Sequence, residues 1–408
     1  MTIPTLVEFE DAAAVLRPVI VQTPFDESEY LSDVLGAPVH LKLENLQRTG
    51  SFKIRGATYR LSRLSAEERA RGVVAASAGN HAQGVALAAQ KLGIHATIFM
   101  PLGVPVPKLL ATRGYGAEVI LEGATVETPL RLAAEYAERT GAVLIHPFDH
   151  GDVIVGQGTL GLELWDAVED LETVIVGIGG GGLIAGVAAA VKARAAAEGR
   201  TVRVIGVQAE NSAAYPASLA AGEPLTVETT PTIADGIAVA RPGELTFEVI
   251  SELVDEVVTV SDDDIARALL NLLERAKQVV EPAGAVGVAA ILAGKVRASG
   301  PTAVILSGGN IDPLLLQRVV AHGLAASGRY MTLQIPLPDR PGQLARVSEL
   351  LSIAGANVIE VLHTRHGQGL QISEVILQLS VETRGEEHRA HVISVLDAAG
   401  FHPRVVDD

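Results

Sequence analysis

Apolar residues along this chain fall into short β-branched runs, each followed by a longer stretch with helical spacing. The clearest runs are 73–76, 96–100, 118–121, 143–145, 174–176, 202–207 and 303–306. None alternates apolar with polar residues, which predicts strands buried on both faces of a parallel sheet. Helices are predicted over 84–91, 130–139 and 265–277, between those strands. Strand and helix take turns from about residue 40 to 320, the pattern of an α/β domain.

The pattern changes near residue 328. Met331, Leu333, Ile335 and Leu337 alternate with polar or small residues, as on a half-buried antiparallel strand. Asp339, Arg340, Pro341 and Gly342 turn the chain. Leu344, Val347, Leu351 and Ala354 then give a helix face that Gly355 ends. A second strand is predicted over 358–362 and a third over Val375, Leu377, Leu379 and Val381. Val392, Val395, Leu396 and Ala399 mark another helix, stopped by Gly400, and Val405 and Val406 suit a last strand. The order β-α-β-β-α-β is ferredoxin-like. The expected organisation is a domain over 1–320 containing a small lobe at about 45–150, a linker at 321–330 and a separate domain over 331–408.

Hydrophobic residues make up 48% of the 408 and aromatics only 3%, so the cores must be built from Val, Leu, Ile and Ala. The net charge is −16, with no dense run of Lys and Arg. A nucleic-acid partner, which needs a basic face, is not expected. The absence of cysteine excludes disulfides, thiolate metal sites and a Cys nucleophile. The opening MTIPTLVEFEDA has early acids and no apolar core, unlike a secretory signal. Residues 173–191 carry no charge and approach the length of a membrane span, but four glycines interrupt them. A strand, a glycine turn and a helix are expected there, in a cytoplasmic protein with no membrane partner.

Five segments carry candidate chemistry. GIGGGGLIAG at 177–186 follows a strand and opens a helix. Such a turn lets backbone N–H groups converge on a phosphate, helped by the helix N-terminus. It also fits the dinucleotide fingerprint through Gly177, Gly179 and Gly182. That fingerprint expects an acid about 20 residues on, and Glu210 comes later. A tight turn without a ligand is the alternative. SFKIRGA at 51–57 sets Lys53 beside Phe52 among apolar and small residues, where burial can depress an amine's pKa; an ordinary snorkelling lysine is the alternative. SAGNHAQG at 77–84 brings Ser77, Asn80 and His81 to a helix start that suits a carboxylate or is simply capped. SGGN at 307–310 follows another strand, and EPAGA at 281–285 places Glu281 in apolar sequence. Ser77, Gly177 and Ser307 each stand at the carboxyl end of a predicted parallel strand, the edge where open α/β sheets bind ligands.

Together these segments resemble the fold-type-II pyridoxal-5′-phosphate (PLP) enzymes, in particular the threonine/serine ammonia-lyase branch. SFKIRGA, ASAGNHAQG, GIGGGGL, TIADGIAV, EPAGA and ILSGGN stand in that family's order. The resemblance covers about residues 15–320 and implies a two-lobed parallel-sheet fold of the tryptophan synthase β type. It implies PLP joined to Lys53 as a Schiff base, Phe52 near the ring, and Asn80 on the phenolic oxygen. Gly179, Gly180, Gly181, Gly182 and Leu183 would hold the phosphate and Ser307 the pyridine nitrogen, with Glu281 counted among the cofactor contacts. Ser77, Asn80 and His81 resemble the substrate-carboxylate loop, and Gly236 a backbone contact to the amino group. The implied reaction is β-elimination of water from L-threonine, and from L-serine, yielding a 2-oxo acid and ammonia, with Lys53 as general base.

Related serine racemases carry a second Ser before the Gly-Asn pair; here that position is Ala78, which favours dehydration over racemisation. Where those racemases use carboxylates for a divalent cation, this chain has Gln208 and Ala214; no metal site is expected, a monovalent ion staying open. A β-replacement PLP enzyme and a non-catalytic nucleotide or amino-acid sensor also stay open. DRPGQLARV at 339–347 and GANV at 355–358 resemble the amino-acid-binding ACT domain. That likeness implies Asp339, Gly342 and Asn357 as effector contacts and a homodimer or homotetramer.

Overall fold

The apolar runs at the centre of the chain's first half form the middle of a four-stranded parallel sheet. Its order is Glu118–Leu121, Ala96–Met100, Val73–Ala76, Val143–Leu144. The two central strands are buried throughout. The two outer ones are not: Glu118 and Leu144 are exposed. Burial on both faces, expected for every apolar run, is confined to strands with a neighbour on each side.

A second, six-stranded sheet has the order Phe25–Glu27, Val39–Lys42, Thr302–Ile305, Thr173–Gly177, Arg203–Ala209, Glu256–Val260. Only Phe25–Glu27 runs antiparallel to its neighbour. Three of these strands escape a search for apolar periodicity. Val39–Lys42 carries a buried lysine inside it, Phe25–Glu27 is three residues long, and Glu256–Val260 is a half-buried edge. The uncharged stretch 173–191 is the strand Thr173–Gly177, a glycine turn and the helix Gly182–Ala197. Among the described residues no helix is long and apolar enough to cross a membrane.

Three helices pack through glycines rather than side chains. A Cβ on Gly156, in the helix Gly151–Ala167, would lie 2.7 Å from Gly56 Cα in the helix Lys53–Ser62. A Cβ on Gly158 would lie 2.7 Å from Gly186 O in the helix Gly182–Ala197. This close approach fixes the helix that begins with Lys53 against the helix that begins at the glycine turn. The helix expected over 265–277 is α-helical only over Asp262–Asn271; Leu272–Ala276 widens into a π-turn and Lys277 ends it at φ 57°.

The structure, a computed structural model, describes residues 3–125, 127–326, 328–365 and 373–406. It divides into two units, Met1–Pro313 and Leu314–Asp408. In the second unit the strands Tyr330–Pro338, Asn357–Thr364, Glu374–Glu382 and Arg404–Val406 alternate with the helices Gln343–Ile353 and Glu386–Ala398 in βαββαβ order. The sheet is antiparallel, with Glu374–Glu382 between Asn357–Thr364 and Tyr330–Pro338. Met331, Leu333, Ile335 and Leu337 face its core with Val347, Leu351, Val375, Leu377, Val392 and Leu396. The segment expected as a linker, 321–330, is helical as far as Ala326, the end of the helix Pro313–Ala326.

Candidate active site

Four loops at the carboxyl ends of parallel strands build one site. They follow Val73–Ala76 and Val143–Leu144 in the smaller sheet, and Thr173–Gly177 and Thr302–Ile305 in the larger. Lys53 opens its helix directly beside the last of them. Ser51 bridges Gly308, Phe52 N donates to Ser307 O at 3.1 Å, and Gly309 N donates to Gly50 O at 2.8 Å. Half-buried Lys53 lies 5.2 Å from the centre of the Phe52 ring and donates from Nζ to Pro147 O at 3.0 Å. Burial lowers its pKa to about 8, against the opposing charge of Glu281. An amine so placed is still mostly protonated at about pH 7, but it gives up its proton far more readily than an ordinary lysine, as a nucleophile or base requires.

The glycine turn faces the loop that Lys53 touches. Phe148 fills the space beside it, and a Cβ on Gly180 would fall 2.3 Å from the Phe148 ring. Gly181 caps the following helix at φ +96°, and a Cβ there would meet Tyr215 Oη at 2.1 Å. Thr246 Oγ1 and Tyr215 Oη donate to Gly180 O at 2.7 and 3.2 Å. Asp149 accepts from the backbone N–H groups of Glu244, Leu245 and Thr246. Thr246 and Tyr215 thus hold the Gly180 carbonyl, and Asp149 fixes the start of the helix that carries Thr246. Leu183 is buried in the first turn of the helix beyond.

Asn80 and Glu281 meet across the two lobes. Asn80 Nδ2 donates to Glu281 Oε1 at 2.6 Å, and Asn310 Nδ2 donates to both Asn80 Oδ1 and Thr49 O. Burial raises the Glu281 pKa to about 7, with Lys108 the main opposing charge. Ser77 Oγ accepts from Gly79 N at 3.1 Å. The His81 ring is spoken for: Nε2 bonds Ile145 O at 2.9 Å, and burial, then the charge of Lys53, push its pKa down to about 3. The ring is therefore not a titrating group near neutral pH. A Cβ on Gly236 would lie 3.8 Å from Glu281 Oε1. Gln208 accepts from Tyr215 N and reaches Ile178 O, an internal role.

Sequence reasoning missed Phe148, Asp149 and Lys108, and quoted Asn310 only as the end of SGGN without a role for it. A signal existed for the first pair: they follow the strand 143–145 at the same sheet edge as Ser77, and Phe148 is one of only seven phenylalanines. In the second unit Asp339 pairs with Arg365, Gly342 stands at φ +90° before a helix, and Asn357 donates to Glu382.

The pyridoxal-phosphate dependent enzyme family model matches residues 16–308. The chain belongs to this family. As a pyridoxal-phosphate dependent enzyme it is 48% identical over 403 residues to the L-threonine ammonia-lyase of Thermotoga maritima, covering 98% of this chain and 99% of that one. Among solved structures it resembles the processed form of threonine deaminase isoform 2 from Solanum lycopersicum, with TM-score 0.73, 39% identity, and coverage of 78% and 93%. Maize serine racemase matches with TM-score 0.73, 37% identity, and coverage of 79% and 98%.

Proposed function

We propose that this PLP enzyme is a threonine ammonia-lyase, converting L-threonine to 2-oxobutanoate and L-serine to pyruvate with release of ammonia. The observation that carries the reading is the convergence of a lysine with a depressed pKa, a pinned glycine turn and the 77–80 loop in a chain so similar to a threonine ammonia-lyase over its full length.

The residues fit the cofactor. Side chains on Gly180 and Gly181 would run into Phe148 and Tyr215, so only glycine backbone fits this close, and the helix start beyond it supplies a field that favours an anion. Gly179, Gly180, Gly181, Gly182 and Leu183 would hold the phosphate, Ser307 the pyridine nitrogen and Asn80 the phenolic oxygen, with Phe52 and Glu281 beside the ring. PLP, held through Lys53 at rest and through the substrate's own amine when substrate is bound, would supply the electron sink that makes bonds at Cα and Cβ breakable and would leave the Lys53 amine free. The protein supplies the rest. Backbone N–H groups of Asn80 and His81 and the hydroxyl of Ser77 orient the substrate carboxylate, and Gly236 the amino group. The Lys53 amine takes the Cα proton as general base. Water leaves from Cα and Cβ and is regained when the released enamine hydrolyses, so the net products are a 2-oxo acid and ammonia.

Similarity to maize serine racemase supports a second reading, racemisation. Ala78 weighs against it, because it brings no acid or base to the position beside Gly79. An assay for 2-oxo acid with L-threonine, L-serine and D-serine, alongside chiral analysis of serine, separates the two. D-Serine as the main product would overturn the lyase reading.

For the second unit, the βαββαβ order and the 339–347 motif support an ACT-type amino-acid-binding role, with Asp339, Gly342 and Asn357 as contacts. Exposed Ile359, Val361 and Leu362 on the strand Asn357–Thr364 support pairing with a second copy. Homodimer or homotetramer formation is read by light scattering. Effector action is read as a change in the threonine saturation curve with isoleucine or valine.

A further inference from the structure

Lys108 belongs to the helix Val106–Gly114 and has no part in the chemistry above. Its Nζ, Cδ and Cε lie 3.5, 3.8 and 4.0 Å from the point a Cβ on Gly79 would occupy. Its ionic partner is Asp235 Oδ2 at 3.7 Å, yet the Lys108 side chain is 12% exposed and that of Asp235 66%. The pair is lopsided. A largely buried ammonium faces a carboxylate that stands mostly in water, at a distance too long for a hydrogen bond. With Asp235 mostly in water and no hydrogen bond between the two, this carboxylate is a poor counter-charge for Lys108. Lys108 also exerts the main electrostatic pull on the buried Glu281 carboxyl. Its charge is therefore directed at the space bounded by Gly79, Gly236 and Glu281. The helix Asn80–Leu92 opens on that same space from Gly79 with no side-chain cap.

We propose that Lys108 is a specificity-determining residue that complements the carboxylate of an α-amino acid docked on the 77–80 loop. The inference rests on the lyase reading and deepens it. With substrate bound, the ammonium exchanges a distant, hydrated partner for a desolvated one. Its positive field then discriminates between free α-amino acids and uncharged derivatives such as amides. The role is in binding, so it acts on KM and leaves the elimination step alone.

The test uses the holoenzyme. Lys108→Met should raise KM for L-threonine at least about tenfold with kcat within about threefold of wild type, and Lys108→Arg should restore most of the loss. L-Alanine and L-alaninamide, which lack the leaving group, probe recognition without turnover through the thermal shift each produces. Wild type should favour L-alanine, and Lys108→Met should weaken L-alanine while leaving L-alaninamide unchanged. An unchanged KM, or equal weakening of acid and amide, overturns the proposal. Should Lys108→Met fail to fold, Lys108→Gln is put to the same criteria. If wild type does not deaminate threonine, the lyase reading fails instead, and the alanine pair still decides the role of Lys108.

Discussion

Asn80 and Glu281 are joined by a 2.6 Å hydrogen bond between residues 201 positions apart in sequence. Its direction is fixed from the other side. The Asn310 amide donates to Asn80 Oδ1 and to Thr49 O, so Asn80 must present its own amide nitrogen to the carboxyl. Glu281 is further held by its N–H on Gly308 O at 2.9 Å, and Gly308 has no room for a Cβ beside Oε1.

The Glu281 carboxyl gives the protein a pH signature. Burial raises its pKa from 4.5 to about 7. Between those values the folded chain binds more protons than the unfolded one, so stability falls as pH rises through the window. Glu281→Gln keeps an acceptor for Asn80 and removes the titration. Its stability should fall less than that of wild type between pH 4.5 and 7 in denaturant unfolding of the cofactor-free chain. Glu281→Ala leaves the Asn80 donor without this acceptor and should destabilise by about 1–3 kcal/mol. Parallel pH profiles for wild type and Glu281→Gln would refute the assignment.

The bare glycine turn makes a steric prediction. Gly180→Ala drives a methyl into the Phe148 ring, so the variant should lose cofactor absorbance on dialysis while keeping its far-ultraviolet circular dichroism. Phe148→Ala opens that space, and the double variant should retain more cofactor than Gly180→Ala alone. Non-additivity of this sign is what two groups in contact produce. Additive losses would mean that the ring does not set the limit.

Which parts of this site were legible in sequence follows from how each residue acts. Lys53 and the four glycines act through their own type: an amine between apolar neighbours, and backbone that tolerates no Cβ. Both leave a local imprint. Phe148, on the loop after Val143–Leu144, could be found only from its strand end, and Lys108 arrives on a separate helix that no spacing rule connects to Lys53. The central strands were readable because both faces are apolar. Val39–Lys42 was not, since its lysine is buried against Glu163 rather than by apolar pairing. In the second unit alternation was informative because one sheet face alone is buried; the strand expected over 358–362 is present as Asn357–Thr364, though it is exposed nearly throughout.

Arg55, two residues beyond Lys53, anchors a buried charge cluster. It binds Glu44 through Nε and Nη2, both at 2.8 Å, and Glu163 through Nη1 at 2.6 Å; Glu163 also pairs with Lys42. Burial disfavours the Glu44 carboxylate, yet Arg55 and Thr23 hold its pKa below the ordinary value. Arg55→Met strands a buried anion and should destabilise the cofactor-free chain by about 3–5 kcal/mol. Arg55→Lys should recover only part, because an ammonium cannot form the paired bonds of a guanidinium. Urea unfolding measures both, and full recovery by lysine would show that charge alone suffices.

Lys53 itself titrates in the cofactor-free chain. Burial lowers its pKa from 10.5 to about 8. Between those values the unfolded chain holds more protons than the folded one, so this group adds stability as pH rises through the window. Below pH 8 its burial penalty is complete. Lys53→Met should therefore be catalytically dead yet more stable than wild type at pH 7, by on the order of 2–4 kcal/mol. That advantage should shrink steadily as pH approaches 10.5. Urea unfolding of both cofactor-free proteins from about pH 7 up to 10.5 measures it. A gap that stays constant would show that the amine is not desolvated by its site, and would remove the physical basis for treating it as the base.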